Sequence, residues 1–180
     1  MKKGKTFLLV YLGLLIAFAV AVHTIEAAIP VPIPVPGVKL GLANIITLLA
    51  LVLYGLASGL IVASLRTVIG SLLIGNFLGF GFFLSISGAI ASTLVMSLFM
   101  RFRRTGKITL ISVSVAGAVT FNVVQLALAA FLVQNPILFQ GYLPVMLLLA
   151  VPMGIFTGAV AMFLENVAGR VGIKLEQPAG

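Results

Sequence analysis

The sequence predicts an all-α membrane protein, a compact bundle of six transmembrane helices with both termini in the cytoplasm. Hydrophobic residues fill 62% of the 180 positions and charged residues only 8%, which is more apolar surface than a soluble domain of this size can bury. Apolar runs of about 20 residues, the length that crosses a bilayer, follow one another along the chain. The chain is thus predicted to form a single integral membrane domain over 1–180, with spans at roughly 7–28, 39–56, 58–76, 82–100, 108–133 and 142–168.

The distribution of basic residues predicts the orientation of the six spans. With six spans, the basic residues before the first, after the fourth and after the sixth span fall on one side, and Lys39 alone lies near the other. The excess of lysine and arginine marks the cytoplasmic side. We therefore expect a multi-pass protein of the cell membrane, in bacteria the plasma membrane. The glycines of "YGLASG" predict a tight cytoplasmic hairpin between the second and third spans. The residues on the basic side are Lys2, Lys3, Lys5, Arg101, Arg103, Arg104, Lys107, Arg170 and Lys174.

The scarcity of acidic and metal-binding residues argues against an enzyme. The chain has no cysteine and no aspartate, its acids are Glu26, Glu165 and Glu176, and its one histidine is His23. These residues provide neither a carboxylate cluster for magnesium nor a ligand set for zinc. The GxxxxGK[ST] pattern that binds nucleotide phosphates is absent as well. We expect no catalytic site, no metal and no cofactor, and we attribute the net charge of +8 to membrane topology rather than to nucleic-acid binding.

The connection after the first span carries the sequence "IPVPIPVP" at 29–36. Proline lacks an amide hydrogen and keeps the preceding residue out of the helical region, so this stretch is predicted to be extended. Its unpaired carbonyl groups cannot face lipid. Two interpretations remain open: a stiff connector between helices, or a hydrophobic lid over an outward-facing pocket.

Arg66 is the most informative polar residue because it lies near the middle of an apolar run, "LASGLIVASLRTVIGSLLIG". An arginine at mid-membrane costs about 2.5–3.5 kcal/mol on insertion scales unless it faces protein or water. It could clamp helix-end carbonyl groups or Glu26. Alternatively, its planar guanidinium could bind the carboxylate or phosphate of a ligand.

A second group of polar residues lies at the outer ends of the first two spans. His23 and Glu26 are three residues apart and share one helix face. They could form half of a metal site or of a proton relay, although the other ligands are missing. Alternatively, they could form a local pair at the helix end or partner Lys39 or Arg66. Lys39 is predicted in the first turn of the second span, with Asn44 close behind, where the helix dipole favours an anion. The alternative for Lys39 is extension toward the outer lipid headgroups.

Two further sets of residues are candidates for contacts within the membrane. Asn122 and Gln125 share a face of the fifth span and could contact a substrate or simply bridge helices. Gly13, Ala17 and Ala21 recur every four residues on the first span, a pattern that allows close helix approach. This row is a candidate docking face for another membrane subunit.

The stretches "PGVKLGLANIITLLAL", "YG" and "SLRTVIGSLLIG" resemble the Gx transporter family, which is also catalogued as heptaprenyl diphosphate synthase component I. The resemblance covers nearly the whole chain. The wider pattern is similar to the substrate-binding S components of energy-coupling factor transporters. That similarity implies ligand capture under the first outer loop. It also implies docking of Gly13, Ala17 and Ala21 on a transmembrane T component that works with ATPase subunits.

The two names of the family imply different functions. Prenyl diphosphate synthases hold magnesium with aspartate-rich motifs, and this chain has no aspartate, so at most it would be a non-catalytic membrane subunit of such an enzyme. We favour a substrate-binding subunit for uptake of a small anionic organic nutrient, powered by a separate ATPase module. The predicted substrate-binding residues are His23, Glu26, Lys39, Asn44, Arg66, Asn122 and Gln125.

Overall fold

The computed structural model describes the backbone of residues 3–28, 39 and 41–170, and the side chains of the same residues from Thr6 onward. Its five helices are all long and apolar enough to cross a membrane, and no strand occurs in the described ranges. This confirms an all-α membrane protein, but with five helices instead of the six expected. The helices are α1 (Lys3–Ala27), α2 (Asn44–Leu73), α3 (Phe80–Arg104), α4 (Leu110–Leu132) and α5 (Pro136–Arg170).

Helix α2 accounts for the difference, because it combines the second and third predicted spans. Gly55 interrupts it with φ 79° and ψ −176°, a backbone conformation open mainly to glycine. The side chains of Asn44 and Arg66 nevertheless touch, at 2.8 Å between Oδ1 and Nη2. In a straight helix, residues this far apart would be about 33 Å apart along the axis. Helix α2 therefore turns back at Gly55, and its arms, 44–54 and 56–73, lie side by side.

The start of α2 also differs from the prediction, because the helix begins at Asn44 and not at residue 39. Gly41 has φ +86°, which is incompatible with a right-handed helix. The amide groups of residues 41–43 are bound by the carboxylate of Glu26. Lys39 thus precedes the first helical turn instead of belonging to it.

The last predicted span, by contrast, extends further than expected, since α5 already begins at Pro136. Proline suits the first helical position because its missing amide hydrogen is not needed there. Glycines then bring α5 close to α4: a β-carbon at Gly154 would lie 2.6 Å from Cα of Val115, and one at Gly158 would lie 2.8 Å from Cα of Ile111. The hydroxyl groups of Ser114 and Thr157, 2.7 Å apart, join the same two helices.

The basic residues in the last turns of α3 and α5 lie at one end of the bundle. Arg103, at the end of α3, pairs with Glu165 of α5 at 2.8 Å. A buried apolar cluster at this end joins the Gly55 turn to three other helices; it includes Leu51, Met100, Leu110 and Ala161. The opposite end holds the C-terminal part of α1 and the start of α2. The bundle therefore has a basic end and an end that contains most of the predicted site.

The outer surface of the bundle is apolar, as lipid contact requires. Phe131 and Leu148 expose 76% and 74% of their surface. Several of the most polar side chains are buried instead, and Arg66 is among the largest of the fully buried residues. Charged and polar side chains buried beneath an apolar surface are uncommon in membrane proteins, and they direct attention to the interior of the bundle.

Candidate functional site

A cluster of buried polar side chains lies between α1, the residues leading into α2, both arms of α2 and α4. All of its members are at most 6% exposed. They come from distant parts of the sequence, and each makes a hydrogen bond to another member or to the backbone in front of α2. We refer to this set as the polar cluster; it consists of His23, Glu26, Lys39, Asn44, Arg66 and Gln125.

Glu26 binds the start of α2. Its Oε1 accepts hydrogen bonds from the amides of Gly41 and Leu42, the latter at 3.1 Å, and its Oε2 accepts one from the amide of Ala43 at 3.4 Å. A carboxylate at a helix N-terminus is stabilised both by these unpaired amides and by the helix dipole. Glu26 therefore caps a helix that belongs to another part of the chain.

Lys39 fixes the residues in front of α2 to two other helices. Its Nζ donates to Nε2 of His23 at 2.7 Å, and its backbone amide donates to Oε1 of Gln125 at 3.1 Å. A lysine ammonium has only donors, so Nε2 of His23 accepts and the imidazole proton lies on Nδ1. The chain at Lys39 is thus held by α1 on one side and by α4 on the other.

Arg66 links the two arms of α2 through its bond to Oδ1 of Asn44. One helical turn further on, Gly70 leaves room for the imidazole of His23, because a β-carbon there would lie 2.5 Å from Cδ2 of that ring. Arg66 and His23 are therefore neighbours along one side of α2. Gly70 carries no polar side chain, which is why the sequence alone did not single it out.

The cluster contains two cations that no carboxylate contacts. Glu26 has its oxygen atoms on backbone amides, and within the described part of the chain the one ion pair is that of Arg103 with Glu165. Arg66 and Lys39 are each bound to a neutral side chain instead. Lys39 and Arg66 are positively charged and Glu26 is negatively charged, so the cluster has a net charge of one positive unit. This charge is buried inside the bundle. Such a charge is costly unless an anion approaches it.

Four buried atoms of the cluster have no hydrogen-bond partner in the described structure, and all four are donors. They are Nδ1 of His23, Nδ2 of Asn44, Nε of Arg66 and Nε2 of Gln125. Each unsatisfied buried group costs about 1–3 kcal/mol. Donors around a positive charge can be satisfied by the oxygen atoms of a carboxylate or phosphate.

Two hydroxyl groups next to the cluster are also unpartnered, those of Thr47 and Ser85. Helical serines and threonines commonly donate to the carbonyl group three or four residues earlier, and Thr67 and Thr93 of this chain do so. Thr47 lies one turn after Asn44 on the same face of α2. Ser85 was not singled out by the sequence, because nothing in the pattern distinguishes it from serines that bond within their own helix.

The remaining candidates from the sequence lie in different places. Asn122 is one turn from Gln125, and its Nδ2 donates to the carbonyl of Met146 at 3.2 Å while its Oδ1 is unpartnered. Gly13, Ala17 and Ala21 are exposed on the outer side of α1, away from His23 and Glu26. The proline-rich stretch 29–36, predicted to be a connector or lid, lies outside the described residues.

The residue types of the cluster indicate which ligands it could bind. Within the described ranges, no group of three or more His, Cys, Asp or Glu residues could hold a metal ion. The cluster offers two cations, several donors and few free acceptors, which is suited to a negatively charged ligand.

Comparison with known proteins gives one finding. The model of a family described as heptaprenyl diphosphate synthase component I matches residues 15–164, which include all six residues of the polar cluster. No curated protein and no solved structure matches the chain.

Proposed function

The chain belongs to the heptaprenyl diphosphate synthase component I family, and within it we propose a substrate-binding membrane subunit that captures a small anionic organic nutrient for uptake. The main support is the buried pair of cations, Arg66 and Lys39, which no carboxylate contacts. An anionic ligand would balance the charge that Glu26 leaves uncompensated. The energy for uptake would come from a separate ATPase module.

In this proposal the ligand enters from outside the cell. The turn at Gly55 supports six membrane crossings, because it reverses the direction of the chain between the two arms of α2. The arm 56–73 is about 27 Å long, close to the thickness of the hydrocarbon core, whereas 44–54 is only about 16 Å long and needs the residues before Asn44 to complete its crossing. The basic end would then face the cytoplasm together with both termini. The polar cluster lies toward the opposite end, where an extracellular ligand would meet it first.

Capture would use groups that are free in the described structure. The guanidinium of Arg66 keeps an unpartnered Nε, and Asn44 beside it keeps an unpartnered Nδ2. Together with His23 they present donors to one anionic group. Lys39, which is held by His23 and Gln125, would exchange its contact with His23 for one with the entering anion.

The proposed partner would dock on the outer side of α1. Gly13, Ala17 and Ala21 are exposed there, and a β-carbon at Gly13 would meet nothing within 4 Å. Small residues permit close packing of a helix from another subunit. We assign this face to a membrane T component that carries the ATPase subunits.

Binding by the purified protein in nanodiscs tests the proposal. Short carboxylates and phosphate monoesters serve as probes, and calorimetry measures their dissociation constants. At least one probe is expected to bind, and Arg66→Gln or Lys39→Gln should weaken it by about 2–5 kcal/mol, or roughly 30-fold or more. Arg103→Gln is the matched control, because this arginine lies at the basic end and should leave binding unchanged. Unchanged binding in both test variants, with Arg66→Gln only less stable, would show that Arg66 is structural.

The family description favours a second candidate, a non-catalytic membrane subunit of a prenyl diphosphate synthase. Purification from native membranes separates the two. An uptake subunit should bring down a membrane protein and ATPase subunits. Recovery of a soluble aspartate-rich synthase alone, with prenyl-chain output that changes when this chain is deleted, would instead support the second candidate.

A further inference from the structure

The buried polar groups in and near the cluster form two parts, one around the cations and one that is neutral. The part around the cations contains Lys39 and Arg66, with unpartnered atoms on Arg66, His23, Asn44 and Thr47. The neutral part lies where α3, α4 and α5 meet, and its unpartnered atoms are Oγ of Ser85, Oδ1 of Asn122 and Nε2 of Gln125. Their residues are at most 2% exposed.

Packing brings the three neutral groups into one layer of the bundle. One buried apolar cluster contains a neighbour of each group. Leu84 precedes Ser85 in the sequence, Leu126 follows Gln125, and the carbonyl of Met146 accepts a hydrogen bond from Asn122. Gly88, one turn after Ser85, packs against Gln125: a β-carbon at Gly88 would lie 3.1 Å from its Cγ. Gln125 belongs to both parts, because its Oε1 accepts a hydrogen bond from the backbone amide of Lys39 while its Nε2 has no partner.

The chemical types of these atoms are mixed, unlike those around Arg66. Gln125 offers a donor, Asn122 an acceptor, and the Ser85 hydroxyl can be either. A neutral group that both donates and accepts, such as a carboxamide, a lactam or a hydroxyl, would satisfy all three. An alkyl or prenyl chain would leave them unpaired, and a site built to hydrogen-bond discriminates strongly against a ligand that cannot.

We infer that the ligand of this site is a polar acid with two recognised ends: an anionic group held by Arg66, Lys39 and His23, and a neutral donor–acceptor group held by Ser85, Asn122 and Gln125. The inference rests on the proposed anion capture and names its substrate class. It excludes fatty acids and prenyl diphosphates as the preferred ligand.

A first test needs no ligand. If the Ser85 hydroxyl has no partner in the free protein, Ser85→Ala should leave the thermal unfolding midpoint unchanged or raise it. Ser114→Ala is the matched control, because it removes a buried hydroxyl that bonds to another helix, and it should lower the midpoint. If Ser85→Ala lowers the unfolding midpoint as much as Ser114→Ala does, the Ser85 hydroxyl makes a structural hydrogen bond, and its assignment to the ligand site is wrong.

The second test compares short n-alkanoates with ω-carbamoyl alkanoates of the same chain lengths, again by calorimetry in nanodiscs. The carbamoyl compounds should bind about tenfold or more tightly, the gain expected from one good hydrogen bond. Ser85→Ala and Asn122→Leu should reduce that ratio, whereas Arg66→Gln should weaken both series.

The binding measurements distinguish failure of the two-ended ligand from failure of the anion site on which it rests. The two-ended ligand is wrong if alkanoates bind as tightly as the carbamoyl compounds of the same length. It is also wrong if Ser85→Ala and Asn122→Leu leave the ratio of the two dissociation constants unchanged. Either result would leave the anion site intact. If neither series nor any other anion tested binds, the proposed anion site is wrong, and so is the two-ended ligand.

Discussion

At the residue scale, the most instructive side chain is Glu26, because it occupies the position that a ligand anion would otherwise take. The start of a helix attracts negative charge, and the sequence suggested that this effect, together with Lys39, would favour a substrate there. The structure fills that position with the carboxylate of Glu26, bound to the amides of residues 41–43. The proposed ligand anion would therefore bind Arg66 and Lys39, whose positive charges Glu26 does not contact.

Replacement of Glu26 by glutamine tests this role through stability. The variant keeps the size of the side chain but loses its charge and one acceptor oxygen. We expect a loss of about 1–3 kcal/mol, the range for a buried helix cap with a dipole contribution. The loss should appear as a lower unfolding midpoint in circular dichroism.

The control for this prediction is Glu165→Gln, which removes the other acidic partner of the described structure. Its ion pair with Arg103 is partly exposed, so we expect a loss of about 1 kcal/mol or less. If Glu26→Gln is no more destabilising than Glu165→Gln, the capping contact contributes little and α2 is held by packing alone.

At the element scale, the helices could be predicted because membrane insertion leaves a strong pattern in the sequence. Long apolar runs fixed the positions of α3 and α4 to within a few residues. The break at Gly55 was also visible, since a glycine between two such runs marks a turn. The two runs follow each other directly, with only Gly55 in a non-helical conformation between them. They therefore count as the two arms of one helix, which is why five helices are found where six spans were predicted.

The start of α2 could not be predicted, because the contacts that set it are tertiary. Apolar residues continue back to residue 40, and hydropathy alone extends the span accordingly. The amides of residues 41–43 are drawn instead to Glu26, at least 15 residues away along the chain. Non-helical backbone within a membrane protein requires such partners, and no local signal reveals them.

The polar cluster was predictable only in part. A charge in an apolar run stands out, so Arg66, Lys39, His23 and Glu26 were found from the sequence. Their pairing was not: Glu26 was considered as a partner for the cations, and it binds backbone amides instead. Ser85 gave no signal at all, because a serine in a helix usually bonds to its own backbone.

At the scale of the whole molecule, charge and shape agree on an asymmetric bundle. The basic residues at the ends of α3 and α5 lie at one end together with the Gly55 turn. The polar cluster lies toward the other. We propose that the basic end faces the cytoplasm, as the positive-inside rule predicts; this is the orientation that the proposed capture from outside requires.

Labelling of single cysteines provides the decisive test of this arrangement, and the chain suits it because it contains no native cysteine. Thr105, Ala57 and Gln140 are exposed and lie after α3, beside the Gly55 turn and near the start of α5, respectively. If the arms of α2 cross separately, Thr105→Cys and Ala57→Cys should react with a membrane-impermeant maleimide only after the cells are permeabilised. Gln140→Cys should react in intact cells.

If α2 instead crosses once, every later segment is inverted: Thr105→Cys would be labelled from outside and Gln140→Cys would be protected. That result would refute both the cytoplasmic C-terminus and an outward-facing polar cluster.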